Sequence, residues 1–370
     1  MTKVTITVSE LRDMLDRGEP LTVVDIRRAE QYAEWTIPGS RHVDVYDALQ
    51  VGDTAAIDRV ELPADTPVVA VCNVGRTSLL AVDRLRRRGL DARSLEGGMQ
   101  AWSLAWNAAT VPTPGGNATV LQVRRTGKGC LSYVAGANGA AAVIDPSVDP
   151  DVYVRLAEDH GWRIQVILDT HVHADHLSRS RLLAELTGAS YYLPDQQRVK
   201  FSFNALRDGD EIEVGGSVIR VLNTPGHTFE SVCYLLDGTV LFTGDTLFVN
   251  SVGRPDLKAS DRAEATKRAH ALWGSLAKVT ALPPETVVLP CHTSSPVAFD
   301  GQAVSARLSE AGKAVAVLGA TAEAFVTAIL GRIPANPPNH QYIVEFNEAG
   351  EFPPWDPTML EAGANRCAVE

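Results

Sequence analysis

Metal-ligating side chains are concentrated in one short segment of the sequence, directly after a predicted strand. Residues 171–176 contain three histidines and one aspartate. Three further residues of the same ligand types follow at the ends of later predicted strands. An apolar interior cannot hold this much polarity unless a bound ion satisfies it. The sequence therefore predicts one metal cluster built from His171, His173, Asp175, His176, His227, Asp245 and His292.

A cysteine at the end of another predicted strand has the surroundings of a reactive thiol. Cys72 follows the strand at residues 68–71, and a tight glycine-containing loop leads from it into a helix at residues 77–88. Backbone N–H groups and the positive end of a helix dipole stabilise a thiolate or a bound anion in such a loop. Arg76 adds a fixed positive charge to the loop. The alternative interpretation is that Cys72 is a small buried hydrophobic residue, as free cysteines commonly are.

Two differently built regions must position these residues. Residues 1–106 alternate short apolar strands with helices, which is typical of a parallel sheet covered on both faces. Residues 107–117 have the proline and glycine content of a linker. Across residues 118–330 strand-like runs follow one another closely, which indicates sheets with helices outside them. Residues 331–370 are too rich in proline for regular structure, and we expect them to pack on the second domain as a tail.

Composition restricts the classes of function. The chain has 370 residues, of which 45% are hydrophobic and 21% charged, and such a chain forms two ordinary globular domains. Its net charge of −11 argues against a nucleic-acid partner. The sequence has neither a secretory leader pattern nor an uninterrupted apolar run long enough for a membrane span, so a cytoplasmic location is expected. The five cysteines are odd in number and far apart, which excludes a disulfide framework.

The first region resembles single-domain rhodaneses. Four motifs carry the resemblance in the family's order: DIR at residues 25–27, IPG at 37–39, CNVGRTS at 72–78 and LEGGMQAW at 95–102. The resemblance implies that Cys72 takes a sulfane sulfur from a donor such as thiosulfate, carries it as a persulfide and passes it to a thiol. It also implies a catalytic role for Arg76 and substrate contacts for Gly75 and Thr77.

The second region resembles the metallo-β-lactamase superfamily, from about residue 118 to residue 295. All seven positions of the superfamily's ligand set are filled by the metal-ligating residues given above. The resemblance implies an αββα sandwich with the metal at one edge, between two sheets. The expected fold is thus α/β, with a rhodanese-like parallel sheet followed by a metallo-β-lactamase sandwich.

Two subfamilies fit, and they imply different metals. In hydrolases resembling glyoxalase II, the seven residues hold two Zn(II) ions bridged by Asp245. In enzymes resembling persulfide dioxygenase, His171, His227 and Asp245 hold one Fe(II), and about three coordination positions remain for a persulfide and O2. The other four residues then orient these ligands or hold a second metal: His173, Asp175, His176 and His292.

The stretch after Asp245 favours the dioxygenase subfamily. Residues 247–257 resemble the corresponding stretch of bacterial persulfide dioxygenases, and the resemblance implies that Arg254 binds the carboxylate of the thiol substrate. The alternative for Arg254 is a salt bridge with Asp256 or another neighbour. A fused rhodanese also places persulfide chemistry beside the metal site.

The sequence therefore predicts an enzyme of hydrogen sulfide metabolism that oxidises a small thiol persulfide, such as glutathione persulfide, with O2 to sulfite. Its cofactor would be one Fe(II) per chain, coupled to rhodanese sulfur transfer through Cys72. A homodimer is a candidate assembly, and neither nucleic acid nor a membrane is an expected partner. One alternative is a dinuclear zinc thioesterase with an accessory rhodanese domain. Another is a rhodanese half that senses persulfides without turnover.

Overall fold

The computed structural model describes residues 3–257 and 259–369.

The N-terminal region is built on a parallel sheet. The elements of this region are β1 (Thr5–Ile6), α1 (Val8–Asp16), β2 (Thr22–Asp25), α2 (Ala29–Glu34), β3 (Arg41–His42), α3 (Tyr46–Gln50), α4 (Ala55–Asp58), β4 (Val68–Val71), α5 (Thr77–Arg87), β5 (Ala92–Leu95) and α6 (Gly98–Trp102). The strand order is β1-β5-β4-β2-β3, and every neighbouring pair is parallel.

Alternate residues of the central strand enter two separate cores. Val68 and Ala70 of β4 belong to the apolar cluster on one face of the sheet, and Val69 and Val71 belong to the cluster on the other. Side chains of successive strand residues point to opposite faces, so a strand that is apolar throughout must be covered on both sides. The predicted parallel sheet with helices on both faces is confirmed.

The second region contains two larger sheets. The elements of its first half are β6 (Asn107–Val111), β7 (Thr119–Arg125), β8 (Cys130–Ala137), β9 (Ala140–Ile144), α7 (Pro150–Asp159), β10 (Arg163–Leu168), α8 (Ser180–Thr187), β11 (Ser190–Pro194) and β12 (Asn204–Leu206). They form a seven-stranded sheet in the order β12-β11-β10-β9-β8-β7-β6.

The elements of the second half are β13 (Glu211–Val214), β14 (Ser217–Asn223), β15 (Val232–Leu236), β16 (Val240–Gly244), β17 (Val252–Gly253), α9 (Arg262–Thr280), β18 (Val287–Pro290), β19 (Ala306–Arg307), α10 (Leu308–Ala314) and α11 (Ala322–Gly331). A short 3₁₀ helix lies at Ala316–Gly319. The second sheet has six strands in the order β13-β14-β15-β16-β18-β19.

The two large sheets pack face to face, with helices on their outer faces. One apolar cluster joins Ile144 and Leu168 of the first sheet to Ile219 and Phe242 of the second. A second cluster lies beneath α7 and α8, and a third lies beneath α9 and α11. These four layers are the predicted αββα sandwich, which is confirmed. Within the described ranges, no helix is both long enough and apolar enough to cross a membrane.

The predicted linker begins later than expected. Residues 107–111 form the edge strand β6, which pairs antiparallel with β7. The prediction of a linker over residues 107–117 was dominated by the prolines and glycines of its second half. The first half alternates between buried and more exposed positions, as expected for a strand at the edge of a sheet.

The prediction that the C-terminal tail lacks regular structure was wrong. It forms α12 (His340–Ala349), α13 (Thr358–Glu361) and β20 (Ala368–Val369), and β20 pairs antiparallel with β17. The cluster of prolines at residues 334–338 interrupts only the start of the tail. The tail also contacts the first domain, because Gln100 donates a hydrogen bond to Thr358 and Arg366 pairs with Glu34.

Candidate metal centre and cysteine loop

The structure brings all seven predicted metal-ligating side chains together at the edge of the sandwich. Residues 171–176 follow β10, and the other three residues follow the ends of β14, β16 and β18. All seven side chains are buried, and His227, the most accessible, is only 4% exposed. They are His171, His173, Asp175, His176, His227, Asp245 and His292.

Three of the seven converge on a common point. The ligand atoms of His171, His227 and Asp245 all lie within 4.8 Å of one another. The Asp245 Oδ2 atom is 3.9 Å from Nε2 of His171 and 3.4 Å from Nε2 of His227. Among the described residues, neither this oxygen nor Nε2 of His171 has a hydrogen-bond partner. Buried polar atoms without partners are costly, so this group fits a metal ion.

Hydrogen bonds orient the imidazoles of His171 and His227 so that Nε2 of each ring points toward the place where the three ligand atoms converge. Nδ1 of His227 donates to the Arg254 carbonyl oxygen at 2.7 Å, which leaves Nε2 as an electron-pair donor. Thr170 donates its hydroxyl to Asp145, so Nδ1 of His171 donates to the Thr170 oxygen at 2.9 Å. Burial lowers the pKa of both His171 and His227, which keeps both rings in the neutral form that binds metals.

Each of the other four predicted residues contacts at least one protein group, although Nδ1 of His173 and Nε2 of His176 have no hydrogen-bond partner among the described residues. His173 turns its Nε2 toward Asp145, at 3.2 Å. His292 lies between two carboxylates, with Nδ1 2.6 Å from Asp245 Oδ1 and Nε2 2.9 Å from Asp175 Oδ2. Although burial opposes the charged form, Asp175 and Asp245 raise the pKa of His292 well above its usual value. His292 thus bridges the two carboxylates through its two ring nitrogens.

Two residues at this centre were missed by the sequence analysis. Cys130 donates its thiol to Asp175 Oδ2 at 3.3 Å, and Asn365 donates its amide to the same oxygen at 2.8 Å. Cys130 had been considered only as one of five scattered cysteines, and Asn365 lies 190 positions after Asp175. No local pattern links such distant residues.

The C-terminal helix α12 holds the backbone of residues 171–178, which we call the ligand loop. Asn347 donates its amide to the carbonyl oxygens of both His173 and His176, at 2.9 Å each. Its side-chain oxygen accepts the Ser178 N–H at 2.9 Å. One side chain therefore fixes three backbone groups of the loop that carries four of the ligands.

A buried ion cluster anchors the next part of the tail to the same loop. Glu361 is fully buried and accepts the Leu177 N–H at 2.6 Å. The guanidinium groups of Arg125 and Arg179 pair with its carboxylate at 3.1 and 2.6 Å. Although burial opposes ionisation, these two arginines hold the pKa of Glu361 below its usual value.

We expect Glu361→Gln to lower the free energy of unfolding by about 3–5 kcal/mol, because it leaves two buried guanidinium groups without their carboxylate. Denaturant unfolding at pH 7 measures this change. Glu285→Gln, which removes an exposed acid, is the control and should change little. Equal stabilities for the two variants would contradict the role assigned to Glu361.

The lowered pKa of Glu361 also predicts that the stability of the protein depends on pH. Because the folded-state pKa of Glu361 lies below the ordinary value of 4.5, its contribution is fully present above that pH and declines as the pH falls below it. The difference in stability between the wild-type protein and Glu361→Gln should therefore shrink as the pH falls below about 4.5.

Arg254 does not face an open site. Its guanidinium is buried and pairs with Asp256, with Nε and Nη2 each 2.8 Å from a carboxylate oxygen. It also donates to the side chain of Asn336 and to the backbone of Arg366. This geometry matches the salt-bridge alternative. The structure thus corrects the expectation that Arg254 binds a substrate carboxylate, because all its nitrogens contact the chain itself.

The cysteine loop has the expected path. Cys72 is buried, and its sulfur accepts the Ser78 N–H at 3.4 Å and lies 3.2 Å from the Ser78 hydroxyl. Gly75 has a φ of +75°, and a Cβ atom there would lie 2.8 Å from the Leu95 carbonyl oxygen, so the turn requires glycine. Thr77 is buried and accepts a hydrogen bond from Gln50, whereas Arg76 is exposed.

A cleft of about 250 Å³ opens beside this loop, between the two domains. Asn73 and Val74 line it from the loop, and Glu34 lines it from α2. Gly127 and Gly363 close it from the second domain and the tail. A molecule that reaches the cysteine loop through this cleft therefore contacts both domains.

Comparisons with known proteins agree with this division of the chain. Residues 7–105 match the model of the rhodanese-like domain, and residues 125–292 match that of the metallo-beta-lactamase superfamily. The hydroxyacylglutathione hydrolases of Maricaulis maris and Rhodospirillum rubrum are 38% and 35% identical over 159 residues. These alignments cover 42% of this chain, and the chain spans only 58% of the length of each hydrolase.

Two solved structures resemble the second domain. The crystal structure of ETHE1 from Myxococcus xanthus has 30% sequence identity and a TM-score of 0.55, and the match covers 62% of this chain and 98% of that one. A metallo-beta-lactamase from Staphylococcus aureus subsp. aureus COL has 26% identity and a TM-score of 0.58, with 65% of this chain and 76% of that one covered.

Proposed function

Since the chain belongs to the metallo-β-lactamase superfamily and carries a rhodanese-like domain before that fold, we propose that it is a persulfide dioxygenase with sulfurtransferase activity. Its substrate would be a small thiol persulfide of the glutathione class, and its product sulfite. His171, His227 and Asp245 would hold a single Fe(II), which supplies the activation of O2 when bound. The observation that carries the proposal is the convergence of these three ligands, with two buried atoms that have no partner in the described structure.

The hydrogen bonds of Asp245 support a single ion at this point. Its Oδ1 accepts the Nδ1–H of His292, which leaves only Oδ2 directed at His171 and His227. In a dinuclear hydrolase Asp245 would have to bridge two metals, whereas in this structure its Oδ1 is already engaged by His292. A set of two histidines and one carboxylate leaves open positions, as oxygenase chemistry at Fe(II) requires.

The extent of the similarities supports the same choice. The likeness to the ETHE1 structure covers nearly all of that chain. This likeness and the resemblance of residues 247–257 to persulfide dioxygenases both favour the dioxygenase.

In the proposed rhodanese reaction, the Cys72 thiolate attacks the outer sulfur of thiosulfate. The sulfur–sulfur bond of the donor breaks with its electron pair, sulfite leaves, and Cys72 carries the sulfane sulfur as a persulfide. A small thiol then attacks that sulfur, so a new thiol persulfide forms and the Cys72 thiolate returns. The Ser78 N–H and hydroxyl, both within 3.4 Å of the sulfur, stabilise the thiolate at each stage.

Thioester hydrolysis with two Zn(II) ions is the second candidate function. The similarity to hydroxyacylglutathione hydrolases favours it, and so does the presence of all seven ligands in one buried cluster. Both candidates use a glutathione-type thiol, so substrate binding alone does not distinguish them.

The deciding experiment combines metal analysis with two assays on the full-length protein purified without oxygen. The dioxygenase proposal expects iron at the triad and oxygen uptake that depends on added glutathione persulfide. Two zinc ions per chain, hydrolysis of a hydroxyacylglutathione thioester and no oxygen uptake would overturn it in favour of the hydrolase.

A further inference from the structure

Ser94 places a hydroxyl group in the apolar interior behind the cysteine loop. Its backbone is paired on both sides, with Thr5 of β1 and with Ala70 of β4. Ala92, two residues earlier in β5, lies in the apolar cluster that also contains Cys72. Because strand residues two positions apart share a face, Ser94 points into the same interior. A hydroxyl buried there is costly unless it forms a hydrogen bond.

Two hydroxyl groups form a hydrogen-bonded chain that ends at the Cys72 sulfur. The Ser94 hydroxyl oxygen lies 2.7 Å from that of Ser78, and the Ser78 hydroxyl oxygen lies 3.2 Å from the sulfur. All three residues are at most 1% exposed. In the part of the chain that the structure describes, Ser78 is the sole hydrogen-bond partner of the Ser94 hydroxyl. The hydroxyl of Ser94 is therefore committed to this chain.

Ionisation of Cys72 fixes the direction of the hydrogen bonds in this chain. A thiolate carries no hydrogen and only accepts, so the Ser78 hydroxyl donates to the Cys72 sulfur. The Ser78 oxygen keeps its lone pairs free to accept, and the Ser94 hydroxyl donates to it. Hydrogen bonds in series polarise one another, and the effect is stronger in a low-dielectric interior. The Ser94 hydroxyl thus makes Ser78 a better donor to the thiolate.

We propose that Ser94 is a positioning residue for sulfur transfer, which acts through the Ser78 hydroxyl to stabilise the Cys72 thiolate. The thiolate is the nucleophile of a reactive cysteine, so the fraction of Cys72 that is ionised limits the rate of attack on the donor. Ser94 stands outside the cysteine loop, on the neighbouring strand, and it reaches the sulfur through one intervening hydroxyl. The inference rests on the proposed rhodanese reaction, because it concerns the thiolate that attacks thiosulfate.

Alkylation of Cys72 by iodoacetamide in the full-length protein tests the proposal without requiring sulfur transfer. Mass spectrometry of the peptide that contains Cys72 separates its reaction from that of the other cysteines. Ser94→Ala should slow alkylation near neutral pH about fivefold, the effect of losing one hydrogen bond. Its alkylation–pH profile should move toward higher pH and reach nearly the wild-type rate in strong alkali. A change in packing or access alone would instead alter the rate equally at every pH.

Ser103 provides a matched control, because it is a buried serine of the same domain whose hydroxyl donates to the Gln100 carbonyl oxygen. Ser103→Ala should keep the wild-type alkylation–pH profile. In the single-turnover release of sulfite from thiosulfate, Ser94→Ala should show the same fold-change as in alkylation, since both reactions begin with the thiolate.

A double-mutant cycle separates action through Ser78 from an independent effect of Ser94. Ser78→Ala should slow alkylation more than Ser94→Ala does, because it removes the hydrogen bond to the sulfur itself. In the Ser78→Ala background, Ser94→Ala should have no further effect. Equal effects of Ser94→Ala in both backgrounds would overturn the inference, and so would an unchanged pH profile in the single variant. A shifted alkylation profile in a protein whose wild type transfers no sulfur from thiosulfate would refute the proposed reaction while supporting the action of Ser94 on the thiolate.

Discussion

Asp245→Ala is expected to abolish both iron binding and persulfide-dependent oxygen uptake. Asp245 supplies the only carboxylate of the triad, and its Oδ2 lies within 4 Å of Nε2 of both His171 and His227. Loss of an outer residue around a metal typically costs about 10–100-fold in affinity or activity, and loss of a direct ligand should cost more. Elemental analysis and an oxygen electrode measure the two effects on the same preparation.

The control for this prediction is Asp65→Ala, which removes an exposed acid from the N-terminal domain. It should retain the iron content and the oxygen uptake of the wild-type protein. Because Asp245 is buried, its loss also disturbs packing, and circular dichroism must show that the variant is folded. His171→Ala gives an independent test of the same ligand set. A folded Asp245→Ala protein that keeps its iron and its oxygen uptake would refute the triad.

Cys72→Ser is expected to eliminate sulfur transfer from thiosulfate to a thiol while oxygen uptake with ready-made persulfide continues. Serine nearly preserves the volume of the buried side chain, but its hydroxyl cannot carry a sulfane sulfur. The Ser78 N–H and hydroxyl that surround the sulfur remain in place. Sulfite release and thiol persulfide formation measure the transfer, and the oxygen electrode measures the other domain.

Cys233→Ser is the matched control, since this cysteine is buried in the other domain. It should leave sulfur transfer unchanged. Transfer that survives in Cys72→Ser would show that another group carries the sulfur. If the wild-type protein binds a persulfide but transfers no sulfur, the rhodanese half is a sensing module, as the second alternative states.

The fold and the clustering of the seven candidate ligands were predictable because their signals are local. Buried parallel strands give continuous apolar runs, as at residues 68–71, and these were recognised directly. Residues 171–176 place four polar groups after such a strand, as expected for a metal site. His227, Asp245 and His292 also follow strand ends, where ligand-binding side chains of sheets tend to gather.

The parts that the sequence did not reveal depend on contacts between distant residues. Arg125 and Glu361 pair across 236 positions, and Asn347 reaches His173 across 174. Hydrophobic periodicity carries no information about such pairs. Arg254 shows this limit in part, because its ion pair with Asp256 is local in sequence whereas its other partners, Asn336 and Arg366, lie in the tail. The prolines of the tail concealed three regular elements that these contacts stabilise.

The position of the tail in the chain determines when the metal centre can be completed. Asn347, Glu361 and Asn365 hold the ligand loop and Asp175, yet they are synthesised after all seven ligands. Translation adds about 5–20 residues per second, and the N-terminal parts of a chain fold first. The rhodanese-like domain can therefore fold while the second domain is still being made, whereas the ligand loop reaches its final geometry only once the tail has emerged from the ribosome. We therefore expect metal loading to be a late event for the nascent chain, because before residue 340 is made the candidate ligands lack these contacts.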